Sequence, residues 1–222
     1  MWSPGWHVEH VDVTGSTNVD LIAAAAERPD RSVLVAAHQT AGRGRLDRRW
    51  EAPPGANLLA SLLFHHVTTS AHELTVRVGL AAIDAVAEVA DVAATLKWPN
   101  DVLVGPSKLA GILAQQAQSQ SIVVGIGLNV GWAPEGAARL GDGIAPSTVL
   151  AALLRSFDAL PVDIAPRHRA ALATLGRRVR VELADRVLVG HADDIDADGR
   201  LLVRDERGVT HRIDAGDVVH LR

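Results

Sequence analysis

The sequence predicts an α+β protein: a mixed, largely antiparallel central sheet with helices, followed by a small SH3-like β-barrel. Two observations carry that prediction. Four strand-like runs, residues 96–98, 102–104, 111–117 and 122–129, follow one another too closely for crossover helices, as antiparallel strands do. After Leu175 the texture changes to five short strand-like runs broken by turns such as Asp198-Gly199 and Arg207-Gly208, in about 45 residues, the size of a small barrel. The expected division is therefore 1–175 and 176–222.

Taken in order, residues 7–13 read as a strand, and Thr14-Gly-Ser-Thr-Asn18 as a turn whose hydroxyl and amide oxygens cap a helix over 21–27. Residues 32–37 form an apolar run of the buried-strand type. Residues 40–56, rich in Gly, Arg and Pro, have no periodicity and read as a long loop, a length usually reserved for function. A strand at 58–64 follows, then Ser70-Ala-His-Glu73, a capping box opening a helix to about residue 89. Helices at 147–160 and 166–175 precede the barrel strands at 178–183, 187–194, 201–204, 211–214 and 218–221.

Composition narrows the function. Of 222 residues, 48% are hydrophobic and 22% charged, the balance of an ordinary globular chain. Cys is absent, which removes disulfides, zinc-thiolate sites and thiol nucleophiles together. The formal charge of −4 argues against a general nucleic-acid binder. Neither a secretory signal nor an apolar run long enough to span a membrane is present, so the expected address is cytoplasmic. Lys occurs only at positions 97 and 108, whereas Arg occurs 20 times. Lys is a compact ammonium and Arg a planar fork, so the two exceptions mark places where a point charge is wanted.

Both lie in segments that read as chemistry. The run from Ala41 to Asp47 (AGRGRLD) nearly matches a dinucleotide fingerprint, but Asp47 stands where the third Gly belongs and no tidy βαβ unit follows. Its glycines let backbone N–H groups approach an anion, and its arginines supply charge-assisted bonds; the alternative is a solvated basic loop. Trp50, a few residues on, can stack on a purine once the loop folds over it. In Lys97-Trp-Pro-Asn-Asp101, Pro99 forces a turn, Lys97 can meet a phosphate, Asn100 offers an amide and Asp101 can hold a divalent cation; otherwise it is a plain Asn-Asp turn. Lys108 stands just ahead of Gly111, taken as the start of a strand, and the glycines of Gly125-Ile-Gly-Leu-Asn129 leave room for a ligand across a sheet.

In this order, Ser16-Thr-Asn18, Gln39 to Arg45, Trp50, Lys97 to Asp101, Lys108 to Leu113 and Gly125 to Asn129 resemble the biotin protein ligase family. The resemblance covers about residues 12–130 by motif and the barrel by architecture. It implies a class II synthetase-like catalytic domain and a two-step reaction with ATP and Mg2+. Biotin becomes biotinyl-5′-AMP and then passes to a lysine of a biotin carboxyl carrier domain of acetyl-CoA carboxylase or a related carboxylase. By the same resemblance Ser16, Thr17, Asn18, Gln39, Arg43, Gly44, Arg45, Lys108 and Gly111 hold biotin, with Lys108, Arg43 and Arg45 catalytic. Arg45, Trp50, Lys97, Asn100, Asp101 and Asn129 would line the nucleotide, and Asp101 is the candidate for Mg2+.

Many relatives carry Gly where this chain has Asp47, which puts loop closure in question. Some carry an N-terminal helix-turn-helix; with Ser16 so early, DNA binding is not expected, and the chain is read as a monomer or weak homodimer. Because every motif precedes residue 130, removing 178–222 is expected to leave adenylate formation alive and to weaken transfer. Two alternatives stand beside this reading: a lipoate-attaching enzyme of the same fold, and a non-catalytic carrier-binding module.

Overall fold

The computed structural model describes residues 2–118, 120–183 and 185–221, and of Asp47 the backbone alone. The expectation attached to the Asp47 side chain lies outside them. A seven-stranded sheet runs in the order β1-β2-β3-β7-β6-β5-β4, with β1 His7–Thr14, β2 Ser32–Gln39, β3 Leu58–Phe64, β4 Thr95–Lys97, β5 Asp101–Val104, β6 Ser107–Gln116 and β7 Ile122–Leu128. All neighbours are antiparallel except β1 and β2, which are parallel and joined through α1 (Thr17–Ala23). The mixed sheet read from the sequence is therefore present, its parallel pair hidden because α1 is only seven residues long. Helix α1 also starts earlier than expected, and residues 25–27 continue it as a single tight 3-10 turn.

The two faces of this sheet do different work. Antiparallel register puts Leu58, Leu62, Val124, Ile126, Ala110, Ile112 and Val102 on one face, against α2 (Ala71–Ala90) and α3 (Pro146–Asp158), and all are at most 2% exposed. Truncating any of the large ones to Ala removes about 2–5 kcal/mol. Ser70 caps α2 by accepting the Glu73 N–H at 3.1 Å. Glu73 does not close the box; its carboxylate pairs instead with Arg77 at 2.9 Å, one turn further on. On the opposite face a small apolar cluster of Leu21, Ala25, Leu34, Leu63, Ala117 and Val123 seats α1 near the β3 end, and the rest of that face is open.

Helix α4 (Ala165–Ala171) stops short of residue 175, because Leu172 turns extended and Thr174 is pulled inward. A five-stranded antiparallel sheet follows, β11-β10-β9-β8-β12, built from β8 Arg178–Glu182, β9 Val187–Ile195, β10 Leu201–Arg204, β11 Thr210–Ile213 and β12 Asp217–His220. Its seam with the first sheet is tight. The buried Trp98 donates its backbone N–H to Thr174 Oγ1 at 3.0 Å and its indole N–H to the Gly199 carbonyl at 3.0 Å. Gly199 has φ +81°, and a Cβ there would sit 1.9 Å from the His72 ring, so only Gly lets this turn reach α2. His72 lies 5.8 Å from His168 of α4, ring to ring, and Thr174 Oγ1 meets His220 Nε2 at 3.1 Å.

Burial, reinforced by neighbouring positive charge, pushes both His168 and His220 down to about 4. Their unfolded value is near 6.5, so between about 4 and 6.5 the unfolded chain binds more protons and the fold loses stability as pH falls. His168, only 6% exposed, contributes on the order of 3 kcal/mol to that loss by pH 4. The melting temperature should therefore fall steadily from pH 6.5 to 4. His168→Phe should show a visibly shallower fall; equal slopes in the two proteins would remove His168 from the account.

Candidate active site

The open face carries few side chains. Cross-strand register lines up Ser61, Gly125 and Leu113 in one row and Leu59, Gly127, Gly111 and Asp101 in the next. Glycine is needed at both β7 positions: a Cβ on Gly125 would lie 2.1 Å from Asn18 Oδ1, and one on Gly127 would lie 2.3 Å from the Trp50 ring. The resulting cleft holds about 240 Å3 and is walled by α1, the 40–56 loop, β5, β6 and the turn before β12.

At one end Ser16, Thr17 and Gln39 line the cleft. Thr17 donates both its backbone N–H, at 2.8 Å, and its hydroxyl, at 3.0 Å, to Gln39 Oε1, which fixes the direction of that amide. Ser16 stands at the N-cap of α1, as read from the sequence, but its hydroxyl caps nothing. That leaves a buried hydroxyl facing the cleft without a helix bond to make. Asn18 behaves differently from the expectation of a ligand contact. Its Nδ2 donates to the Leu113 carbonyl at 3.1 Å and to Gln115 Oε1 at 2.8 Å, and its Oδ1 lies 2.6 Å from the buried Ser61 Oγ. It lines the cleft as a floor plate laid over Gly125, with its donors already used.

At the other end the charge is concentrated. Lys108 and Gly111 are three residues apart and would face opposite sides of a regular strand. A bulge prevents this: Val102 pairs with Ala110 and Leu103 with Lys108, so Leu109 is skipped and Lys108 returns to the face of Gly111. The same bulge hides the alternation, which is why β6 begins at Ser107 and not at Gly111 as expected. Lys108 Nζ lies 2.6 Å from Asp101 Oδ1 and 5.6 Å from the Trp50 ring centre. Trp50 lies flat over the two glycines, and its buried indole N–H has no partner. Leaving that N–H unpaired costs about 1–3 kcal/mol.

The loop is a short hairpin. Arg43 and Arg49 form a backbone bridge, Gly44 N–H donates to the Arg48 carbonyl at 2.7 Å and Trp50 N–H to the Gly42 carbonyl at 3.0 Å. Arg43 and Gly44 line the cleft at its tip. Arg45 turns inward, reaching Asn100 Oδ1 at 3.3 Å and the Gly216 carbonyl at 3.5 Å; burial lowers its pKa, opposed by Asp101 and Asp217. Asn100 spends its Nδ2 on the Ile112 carbonyl at 2.7 Å, so it holds Arg45 and the turn together. The Trp98–Pro99 peptide in that turn is cis.

Two expectations change. Lys97 does not line the cleft: β4 is the outer strand beyond β5, and there Lys97 lies near Asp217 and His220, on the seam. Conversely, Gly216 and Asp217 do line it, although no motif marks them. Arg48 forms an ion pair with Asp217. Burial works against the Asp217 carboxylate, but the Arg48 hydrogen bond and the Arg48, Lys97 and Arg45 charges outweigh it and lower its pKa. The C-terminal sheet thus braces the Arg-rich loop, a contact that the motifs before residue 130 gave no reason to expect. The signal for this was out of reach in the sequence, since the contact spans 169 residues.

Asp217→Ala should loosen the hairpin and raise tryptic cleavage at Arg43 to Arg49 by about threefold, the scale of one partly exposed ion pair. Limited proteolysis of the full chain checks this. Unchanged cleavage would mean that the brace is ornamental.

A family model described as the biotin/lipoate A/B protein ligase family matches residues 11–130, and one described as the biotin protein ligase C-terminal domain matches 174–221. The chain is 42% identical to the biotin–[acetyl-CoA-carboxylase] ligase of Mycobacterium tuberculosis, over 98% of this chain and 91% of that one. A solved biotin protein ligase from Aquifex aeolicus in complex with biotin and ATP superposes with a TM-score of 0.83 at 25% identity, over 97% of this chain and 99% of that one. The Leishmania major biotin protein ligase in complex with biotinyl-5-AMP shares the fold, with a TM-score of 0.68 at 20% identity over 96% of this chain and all of that one. The matches over both parts of the chain show the family: this chain belongs to the biotin/lipoate protein ligases.

Proposed function

We propose that this chain is an ATP-dependent biotin ligase that forms biotinyl-5′-AMP and transfers the biotinyl group to one lysine of a biotin carboxyl carrier domain. The observation that carries the reading is a single cleft with a neutral polar end, Ser16, Thr17 and Gln39, and a cationic end, Arg43, Arg45 and Lys108. A ureido ring offers two N–H donors and a carbonyl to the first, and a carboxylate belongs at the second. The dithiolane of lipoate offers neither donor nor carbonyl, and burying the polar end against it would leave those groups unpaired.

In the first step a biotin carboxylate oxygen attacks the α-phosphorus of ATP, and the bond from that phosphorus to the β-bridging oxygen breaks, releasing pyrophosphate. Two anions must meet, and Lys108 and Arg45 offset their repulsion in a site partly closed to water. Lys108 rises from the floor at the cationic end and serves the developing acyl phosphate; Arg43 and Gly44 close over the carboxylate. Trp50, lifted off Gly127, stacks on adenine. In the second step the neutral lysine amine attacks the acyl carbon, AMP leaves and the nitrogen loses a proton.

Among the described residues no group of three or more His, Asp or Glu forms a metal cage. Magnesium needs none: it is ordinarily held by one or two carboxylates plus substrate phosphates. Asp101 on the floor would be that carboxylate, exchanging its 2.6 Å contact with Lys108 for the cation once Lys108 turns to the substrate anions. Mg2+ arriving with ATP supplies neutralisation of the phosphates. In this reading residues 1–175 do the chemistry, residues 176–222 brace the loop, and one chain supplies the whole cleft. Among the described residues no helix is long and apolar enough to cross a membrane; a cytoplasmic site of action is part of the proposal.

Biotin-dependent ATP–pyrophosphate exchange tests the reading, and lipoate in place of biotin should support none. Lys108→Arg keeps the charge but widens the head, and displacing a catalytic charge by about 1 Å can cost on the order of 100-fold. Exchange should fall by roughly that factor while stability moves by under about 1 kcal/mol, the worth of a partly exposed pair. Full exchange in Lys108→Arg would end the role given to Lys108.

A further inference from the structure

Lys108 owes its place to a bulge, and a bulge must be held. Behind it lies a pair of buried amides. Asn57, 3% exposed and just ahead of β3, accepts the Val130 N–H at 3.0 Å and the Trp132 N–H at 3.1 Å on its Oδ1, and donates from Nδ2 to Asn129 Oδ1 at 3.2 Å. Asn129, 2% exposed, then donates from its Nδ2 to the Ala138 carbonyl at 3.0 Å and reaches the Lys108 carbonyl at 3.5 Å. The Ala138 N–H also ends on the Lys108 carbonyl, at 2.9 Å, and the Asn129 N–H on the Leu109 carbonyl, at 2.9 Å.

An Asn amide has two donor hydrogens on nitrogen and an acceptor oxygen, and which end points where is set by the partners. Here the partners at both ends decide it. With Asn129 Oδ1 taken by Asn57, its Nδ2 must face the two carbonyls, one of them that of Lys108. The Ala138 and Lys108 carbonyls hold the Nδ2 end of the amide and the Asn57 donor holds its Oδ1 end, so an acceptor in place of that donor sets oxygen against oxygen and strains the contact with Lys108. Asn129 lines the cleft but has both donors engaged, so it is not free to donate to nucleotide as the sequence resemblance implies.

We infer that Asn57 is a positioning residue for the ligase reaction, acting through the Asn129 amide to hold the Lys108 bulge and so the Lys108 ammonium. This rests on the catalytic role proposed above for Lys108. Asn57 itself does not line the cleft.

Asn57→Asp separates the two halves of the contact. The carboxylate keeps an oxygen for the Val130 and Trp132 N–H groups, which preserves the chain path. It loses the donor to Asn129 and sets oxygen against oxygen, which strains the Asn129 contact with Lys108. Biotin-dependent pyrophosphate exchange should fall about 30-fold, within the range expected for a sub-ångström to 1 Å displacement of a catalytic charge. Biotin affinity should hold within about threefold, because the Ser16–Thr17–Gln39 end is untouched.

A double-mutant cycle with Lys108→Ala decides the matter. If Asn57 works through Lys108, Asn57→Asp should add less than about threefold once Lys108 is gone. A full 30-fold effect in the Lys108→Ala background would overturn the inference and leave the role of Lys108 intact. Full exchange by Lys108→Ala alone would overturn the catalytic reading first. Asn57→Ser, which keeps a hydroxyl donor, is the companion variant: it should recover part of the exchange lost in Asn57→Asp, and an equal loss in both would also count against the inference.

Discussion

One sheet face kept nearly free of side chains is the constraint on which the rest of the site depends. A β-sheet hides its backbone beneath alternating residues, and a ligand normally meets the side chains. At Gly125 and Gly127 the backbone is bare, with Gly111 as the cross-strand partner of Gly127. Asn18 uses the first gap and Trp50 the second. The cost is a face with little apolar area of its own, so the fold draws its stability from the other face, where α2 and α3 cover Leu58, Leu62, Val124 and Ile126. One face builds the protein and the other is released for chemistry.

Charge is handled on the same division of labour. Lys108, Arg45 and Arg48 crowd one end of the cleft, where their mutual repulsion would open the loop. Asp101 answers Lys108 from the floor and Asp217 answers Arg48 from the C-terminal sheet. That sheet is itself held to the catalytic part by Trp98, Thr174 and a seam of neutral histidines. Loop order, module docking and the protonation of His168 and His220 are therefore linked physically, although Arg45 and His168 are far apart in the chain.

Much of this was legible in the residues. Strand and helix existence followed from periodicity, and the site motifs from their order; Ser16, Thr17, Gln39, Arg43, Arg45 and Lys108 do share one cleft. What escaped were features set by contacts distant in sequence. The parallel β1–β2 pair was hidden by a helix too short for its period to register. The Lys108 bulge broke the alternation that would have placed the start of β6. Lys97 looked equivalent to Lys108 by residue type, yet the strand order carries it to the seam. Asn18, Asn100 and Asn129 read as ligand contacts because an amide in a motif looks free; Asn18 and Asn129 have both donors engaged within the protein and Asn100 one of its two.

Paired calorimetry of Gly125→Ala and Gly127→Ala tests the bare-face claim most directly. A methyl on Gly125 displaces Asn18 at the polar end, and one on Gly127 displaces Trp50 at the other. Gly125→Ala should therefore weaken biotin by tenfold or more, an effect of about 1.4 kcal/mol or above. Gly127→Ala should leave biotin affinity within about threefold and instead weaken ATP binding to the biotin-bound protein. Wild-type affinity for both ligands in both variants would contradict the account, because a sheet face that tolerates added side chains cannot be the surface on which the site is built.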